Sequence, residues 1–383
     1  MPALRRLATA SGARLESSEA ASQPWWTQAS ALAGGVTDSA LPPAYYRLGE
    51  AVLEIASDSP ALIGALADHY GECAVPASQG GSIPCVRCSV RVCDDNRLAL
   101  VRFTEPASID AFALALALLK HPAADPLYTD QAPTADGWHL IAQSGTGVPV
   151  IATRGSQALV DRARTPVRFL ADLVITPVLA AQRALLFAHA ASIGMGGAGV
   201  LLFGPSGSGK TTTALTLASR GHAYFGDDIA AIRTASTELL AFWRTAHIRP
   251  GPHARALVHH VETGHWDPPY ADGMPRLRLR VAELFPQAPA AAVPLRLALF
   301  IRRFAMAPKV EPFAAAPQIF GSPSRLDLNG TLLVAWGTTP QRRLLQFMLF
   351  ARMLARVRCA WLDVGDPEST ADLIETAMEE SWD

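Results

Sequence analysis

The sequence predicts an α/β chain in two parts: a domain with a phosphate-binding loop on a mixed or parallel sheet, preceded by a small α+β domain. Three observations predict it. Runs such as 199–203 (GVLLF) and 295–303 (LRLALFIRR) are rich in apolar residues without strict alternation, the pattern of strands covered by helices on both sides. A glycine-rich loop of fixed spacing stands between one such run and a helix-patterned stretch. The first half instead shows short segments that alternate with a period of two. With 383 residues, 50% of them hydrophobic and 17% charged, the chain can build a large core and more than one domain, which excludes global disorder.

Residues 1–40, rich in Ala, Ser and Gly and carrying a Trp25-Trp26 pair, are expected to form a loose tail. The pattern changes at Tyr45. Residues 45–57 (YYRLGEAVLEIAS) read as a strand pair and 59–72 (SPALIGALADHYGE) as a short amphipathic helix. Residues 85–93 (CVRCSVRVC) alternate as a strand, and 97–103 (RLALVRF) follow after an Asp94-Asp95-Asn96 turn. A buried helix at 110–121 and strands at 137–143 and 148–153 complete a small domain at 41–165, expected to recognise a substrate or regulate access. The second domain spans 166–383. Strands are expected at 191–195, 199–203, within 222–232, and at 295–303, 309–313 and 359–364, with helices around 341–357 and 367–381. No internal repeat is present.

Lys+Arg total 33 against Asp+Glu 34, a net charge of −1, so nothing draws the chain generally to nucleic acid or an anionic membrane. The most apolar stretch, 169–191, is interrupted by Asp172, Pro177 and Arg183, and no membrane span is expected. The five cysteines (Cys73, Cys85, Cys88, Cys93, Cys359) are an odd number, and the N-terminal arginines precede no apolar signal region. A reducing, cytoplasmic setting is the expectation.

The chemistry is concentrated in one loop. Gly204, Pro205, Ser206, Gly207, Ser208, Gly209, Lys210 and Thr211 satisfy the phosphate-loop pattern G-x-x-x-x-G-K-[ST], with Thr212 following. Glycines let successive N–H groups turn inward toward phosphate oxygens at a helix N-terminus. Lys210, one of only three lysines, reaches the β- and γ-phosphates, and the Thr211 hydroxyl faces magnesium. ATP and Mg²⁺ are therefore the expected cofactors. After the helix, a short strand delivers Asp227-Asp228. Two adjacent carboxylates there can serve a magnesium ion and accept a proton, or can simply cap a turn. His189 stands ahead of the loop, expected on the preceding strand, as a core histidine or a functional one.

Residues 189–232, from His189 through the loop and the Arg220-Gly221-His222 step to Asp227-Asp228, resemble the C-terminal catalytic domain of the HPr kinase/phosphorylase superfamily. The later segments 247–257, 281–286 and 294–303 look like its HPr-kinase-related branch, some members of which modify peptides. The resemblance implies that Asp227 is the base that activates a serine hydroxyl. It places Asp228 and Thr211 in the magnesium shell and His189 against the base or the transferred phosphate. The family's Glu-x-Arg-Gly-Leu-Gly signature is missing. The nearest segment is 244–251 (RTAHIRPG), where Arg244 or Arg249 would neutralise transferred charge. Phosphorylase activity and HPr as substrate therefore stay open.

Two other groups carry less. His253, His259, His260 and His265 lack a metal-site spacing and suit a loop near an acceptor. Cys85-x-x-Cys88 falls on opposite faces of a strand and reads as structural. The expected activity is phosphoryl transfer from ATP to a serine of a protein or peptide. A small-molecule kinase of the same fold, or a regulatory ATP-binding protein, are the alternatives. The oligomeric state is open.

Overall fold

The computed structural model describes residues 41–77, 83–92, 98–104, 125–126, 134–144, 149–165, 167–251, 257, 262, 264, 266–267, 274–286, 292–313 and 340–380. In the first half, β1 (Ala44–Leu48) and β2 (Ala51–Ser57) form the expected hairpin. Helix α1 (Pro60–Tyr70) starts where the Ser59 hydroxyl accepts the Leu62 N–H at 3.3 Å and Pro60 fills the first turn. It carries the chain over so that β3 (Cys85–Val92) lies parallel to β2. β4 (Leu98–Phe103), β5 (Asp125–Pro126), β6 (His139–Gln143), β7 (Pro149–Arg154) and β8 (Gln157–Asp161) finish one sheet, ordered β1-β2-β3-β4-β8-β7-β6-β5. Helix α2 (Val167–Ala181) packs on α1. The expected helix at 110–121 and the Trp25-Trp26 pair lie outside the described residues.

The second half runs β9 (Leu185–Ala188), β10 (Ala190–Met195), β11 (Ala198–Phe203), α3 (Lys210–Ser219), β12 (Ala223–Gly226), β13 (Ala230–Arg233) and β14 (Glu238–Leu240). A small sheet follows, β15 (Ala246–Ile248), β16 (Trp266–Asp267) and β17 (Arg276–Leu279), ordered β15-β17-β16. Then come α4 (Val281–Leu284), β18 (Val293–Phe304), β19 (Lys309–Pro312), α5 (Pro340–Leu354), β20 (Arg358–Val364) and α6 (Pro367–Glu379). The large sheet is ordered β12-β10-β11-β18-β14-β13-β9, with β20 paired to β18 and β19 to β20.

Of the two expected arrangements, mixed and parallel, this sheet is the mixed one. Only β11, β18 and β20 are mutually parallel; the remaining pairs are antiparallel. The apolar runs are explained by burial on both faces, which does not require parallel strands. Along β18, Leu297, Leu299 and Ile301 pack toward α3 and α6, whereas Ala298 and Phe300 face Phe350 and Met353 of α5. The Gly196-Gly197 turn between β10 and β11 is too short for a crossover, so that pair is antiparallel.

The halves share a core. Tyr46, Leu66 and Tyr70 cluster with Val174 and Val178 of α2, and with Phe187, Ala231 and Phe242 beyond residue 165. No helix among the described residues is long and apolar enough to cross a membrane.

Candidate functional site

The loop 204–209 leaves β11 and ends at the first residue of α3. Gly207 (φ +82°) and Gly209 (φ +99°) occupy the left-handed region, where a side chain would be strained. At Gly207 a Cβ would also lie 2.5 Å from the Arg249 guanidinium, so that side chain would have to move. Lys210 is 6% exposed, its ammonium donating to the Gly204 and Pro205 carbonyls at 2.7 and 3.0 Å. Arg249 donates to the Ser206 hydroxyl at 3.0 Å. Arg220 and His222, after α3, bind carboxylates of α6: Glu368, Asp372 and Glu375 hold Arg220, and Glu375 lies 2.8 Å from His222. These two residues fix the far end of the helix and take no part in the cleft.

Sheet register brings the second group to the loop. Ala188 pairs with Ala230 and Ser192 with Gly226, so the break between β9 and β10 faces the break between β12 and β13. His189 occupies the first break and Asp227-Asp228 the second. His189 therefore sits at a bend, not within the expected strand. Its Nδ1 is 3.0 Å from Asp228 Oδ1, while Arg244 donates to Asp228 Oδ2 at 2.9 Å. The Thr211 hydroxyl donates to Asp227 Oδ2 at 3.2 Å. The contacts thus group Thr211 with Asp227, and His189 and Arg244 with Asp228.

The two carboxylates have different electrostatics. Asp227 is 5% exposed; its buried Oδ1 makes no hydrogen bond of good geometry, and the buried Tyr224 hydroxyl lies close enough to the carboxylate to favour its charged form. Burial, then the neighbouring Asp228 charge, raises its pKa from the usual 3.8 to about 6. The Asp228 side chain remains 39% exposed to the cleft. Its desolvation works to raise its pKa, but Arg244 and then His189 outweigh that and hold it well below the usual range. The pair is a protonatable carboxylic acid beside a permanent anion.

These groups line a cleft of about 310 Å³ together with His247, Arg276, Phe304, Val364 and Gly365. Burial, then the Arg244 charge, lowers His247 to about 3, so it stays neutral; its ring lies 4.8 Å from that of His69. Arg244 rests 5.4 Å above the Tyr70 ring. The sequence singled out Arg244 and Arg249 but not Tyr70, His247, Arg276 or Phe304. Tyr70 did carry a signal, the helical phase it shares with Leu62 and Leu66, but that phase marks it only as core.

His253, His259, His260 and His265 lie outside the described residues. Cys88 is buried and Cys85 lies 3.9 Å from the Glu54 carboxylate; burial raises both thiols, as inert structural cysteines require. Among the described residues, no three His, Cys, Asp or Glu gather as a metal-binding set.

No protein-family model matches the sequence, and no curated protein matches it. Among solved structures, the Hpr(Ser) kinase/phosphatase from Coxiella burnetii is similar over 50% of this chain and 87% of its own, at 14% sequence identity and a TM-score of 0.25. A TM-score that low establishes neither a common fold nor a common activity.

Proposed function

We propose that this chain transfers the γ-phosphoryl group of ATP to a serine hydroxyl of a protein or peptide. The observation that carries the reading is Asp227: a buried carboxylate with a raised pKa at the cleft, tied by Thr211 to the end of the phosphate loop. A pKa near working pH suits a group that must accept a proton and release it again.

The residues present fit Mg²⁺. The Thr211 hydroxyl would hold it with phosphate oxygens and water, and Asp228 would act through water because His189 and Arg244 already engage both its oxygens. Magnesium bound there supplies neutralisation of phosphate charge. Lys210 exchanges the Gly204 and Pro205 carbonyls for phosphate oxygens. The acceptor oxygen attacks the γ-phosphorus, the bond to the leaving ADP oxygen breaks, and the hydroxyl proton passes to Asp227. His189 and Arg244 keep Asp228 ionised and in place, and Arg249 lies at the loop to meet charge on the transferred group.

Intact-mass detection of transfer from ATP-Mg²⁺ to a panel of serine-containing peptides and carrier proteins tests this. Lys210→Ala should abolish transfer. Asp227→Asn should keep ATP binding and lower transfer by at least a hundredfold. Transfer that survives Asp227→Asn would overturn the assignment of the base. ATP binding without transfer to any acceptor would overturn the kinase reading for that panel.

A further inference from the structure

The large sheet divides the cleft. Asp227 follows β12, two strands from β11 in one direction, whereas Phe304 and Val364 end β18 and β20 in the other direction. The phosphate loop lies between them, at the end of β11. A nucleotide whose γ-phosphate faces Asp227 therefore directs its nucleoside toward β18 and β20.

What waits there is a flat apolar ledge. Phe203 of β11 pairs with Phe300, so β18 runs four residues further and brings Phe304 level with the loop. Phe304 is 67% exposed, although its ring edge lies only 3.7 Å from where a Cβ on Gly209 would be. Phe304 pairs with Val364, and the Ala305 N–H donates to the Val364 carbonyl at 2.7 Å. Gly365 then packs so closely that a Cβ would lie 3.0 Å from the Ala305 carbonyl, and its N–H donates to the Thr370 hydroxyl at 3.0 Å. The arginines just before Phe304 do not cover the ledge, because Arg302 and Arg303 both bind Asp363. An exposed phenylalanine alone is ordinary. One that forms the apolar wall of a phosphate-binding cleft, on the side away from the reacting end, has the position and the face that a stacked base needs.

We propose that Phe304 is the stacking platform for the purine base, with Val364 and Gly365 as its floor. This rests on the reading of 204–211 as a nucleotide phosphate site. Calorimetric titration with two probes, ATP and inorganic tripolyphosphate, separates the two ideas. Stacking on one aromatic ring is of the order that Phe304→Ala should remove as about a tenfold loss of ATP affinity. Tripolyphosphate affinity should be unchanged, and Phe304→Trp should restore ATP binding. Met306→Ser, at the neighbouring fully exposed position, should leave both probes unaffected. Lys210→Ala should weaken both.

An ATP affinity in Phe304→Ala within twofold of the parent would overturn the platform. So would equal losses for ATP and tripolyphosphate, since the ring would then only support the loop. A parent protein that binds tripolyphosphate as tightly as ATP would also overturn it, leaving the phosphate site intact. A parent that binds neither would overturn the phosphate site and the platform with it.

Discussion

Replacing Asp227 by asparagine should stabilise the protein at neutral pH while destroying the proposed activity. The carboxyl has a pKa of about 6 in the fold against an ordinary 3.8, so its ionisation opposes folding. The sign follows from linkage. Well below pH 4 the group is protonated in both states and has no effect. Between 4 and 6 the unfolded chain loses its proton first, and stability falls. Above 6 the full difference applies, roughly 3 kcal/mol at 1.36 kcal/mol for each pH unit between the two values. About half of that difference is already present at pH 5.

Asparagine keeps the shape and an oxygen to accept the Thr211 hydroxyl, and it carries no charge to bury. Allowing about 1 kcal/mol for imperfect hydrogen bonding, Asp227→Asn should gain roughly 2 kcal/mol at pH 7.5. Thermal unfolding of the parent and the variant, without nucleotide and with a chelator present, should show a Tm higher by several degrees at pH 7.5. The gain should shrink to under about 1 kcal/mol at pH 5 and give way below pH 4 to a loss of up to about 1 kcal/mol, where only the imperfect hydrogen bonding remains. A variant less stable than the parent at pH 7.5, or a gain that does not change with pH, would refute the claim that Asp227 is held as a strained, protonatable carboxylate.

Gly207→Ala adds a Cβ in a left-handed backbone, 2.5 Å from the Arg249 guanidinium, so both the loop and Arg249 must shift. Affinity for ATP should fall at least tenfold with little change in urea unfolding, measured by titration and denaturation side by side. Tyr70→Ala removes a ring that is buried in the first half's core and lies under Arg244; urea unfolding should show a loss of about 3–5 kcal/mol. Tyr70→Phe keeps the ring and gives up only a 3.4 Å hydrogen bond to Asp172, so it should lose less than about 1 kcal/mol and retain the pH profile of the parent.

How much of this was legible depends on distance along the chain. The loop 204–211 is contiguous and matches a fixed spacing, so the sequence alone picked it out. Asp227-Asp228 and His189 were within reach for the same reason, since each is one short element away. The grouping of their contacts was not. Thr211 binds Asp227, and Asp228 binds His189 and Arg244, because the register of β10 with β12 and of β9 with β13 aligns two chain breaks, and register is a long-range property. The choice between a mixed and a parallel sheet was not legible, because burial on both faces is what the apolar runs report, and antiparallel strands under two layers produce the same runs.

The least legible feature is the connection between the halves. The segment 243–249 carries Arg244 and Arg249, two of the arginines that line the cleft, yet much of its support comes from residues 68–73. The Thr245 N–H and hydroxyl donate to the His69 and Asp68 carbonyls at 3.1 and 2.6 Å, and the Cys73 thiol meets the Trp243 carbonyl. Asp68 binds Arg278 at 2.9 Å, and Glu72 accepts the Val281 and Ala282 N–H groups at 2.6 and 3.0 Å. Tyr70 supplies the floor under Arg244. In sequence these residues read as an ordinary amphipathic helix and its exit. In the fold they set where Arg244 sits, and Arg244 in turn keeps Asp228 ionised beside a protonatable Asp227. The difference between the two carboxylates, on which the proposed chemistry depends, is therefore built partly by the half of the chain that carries no catalytic motif.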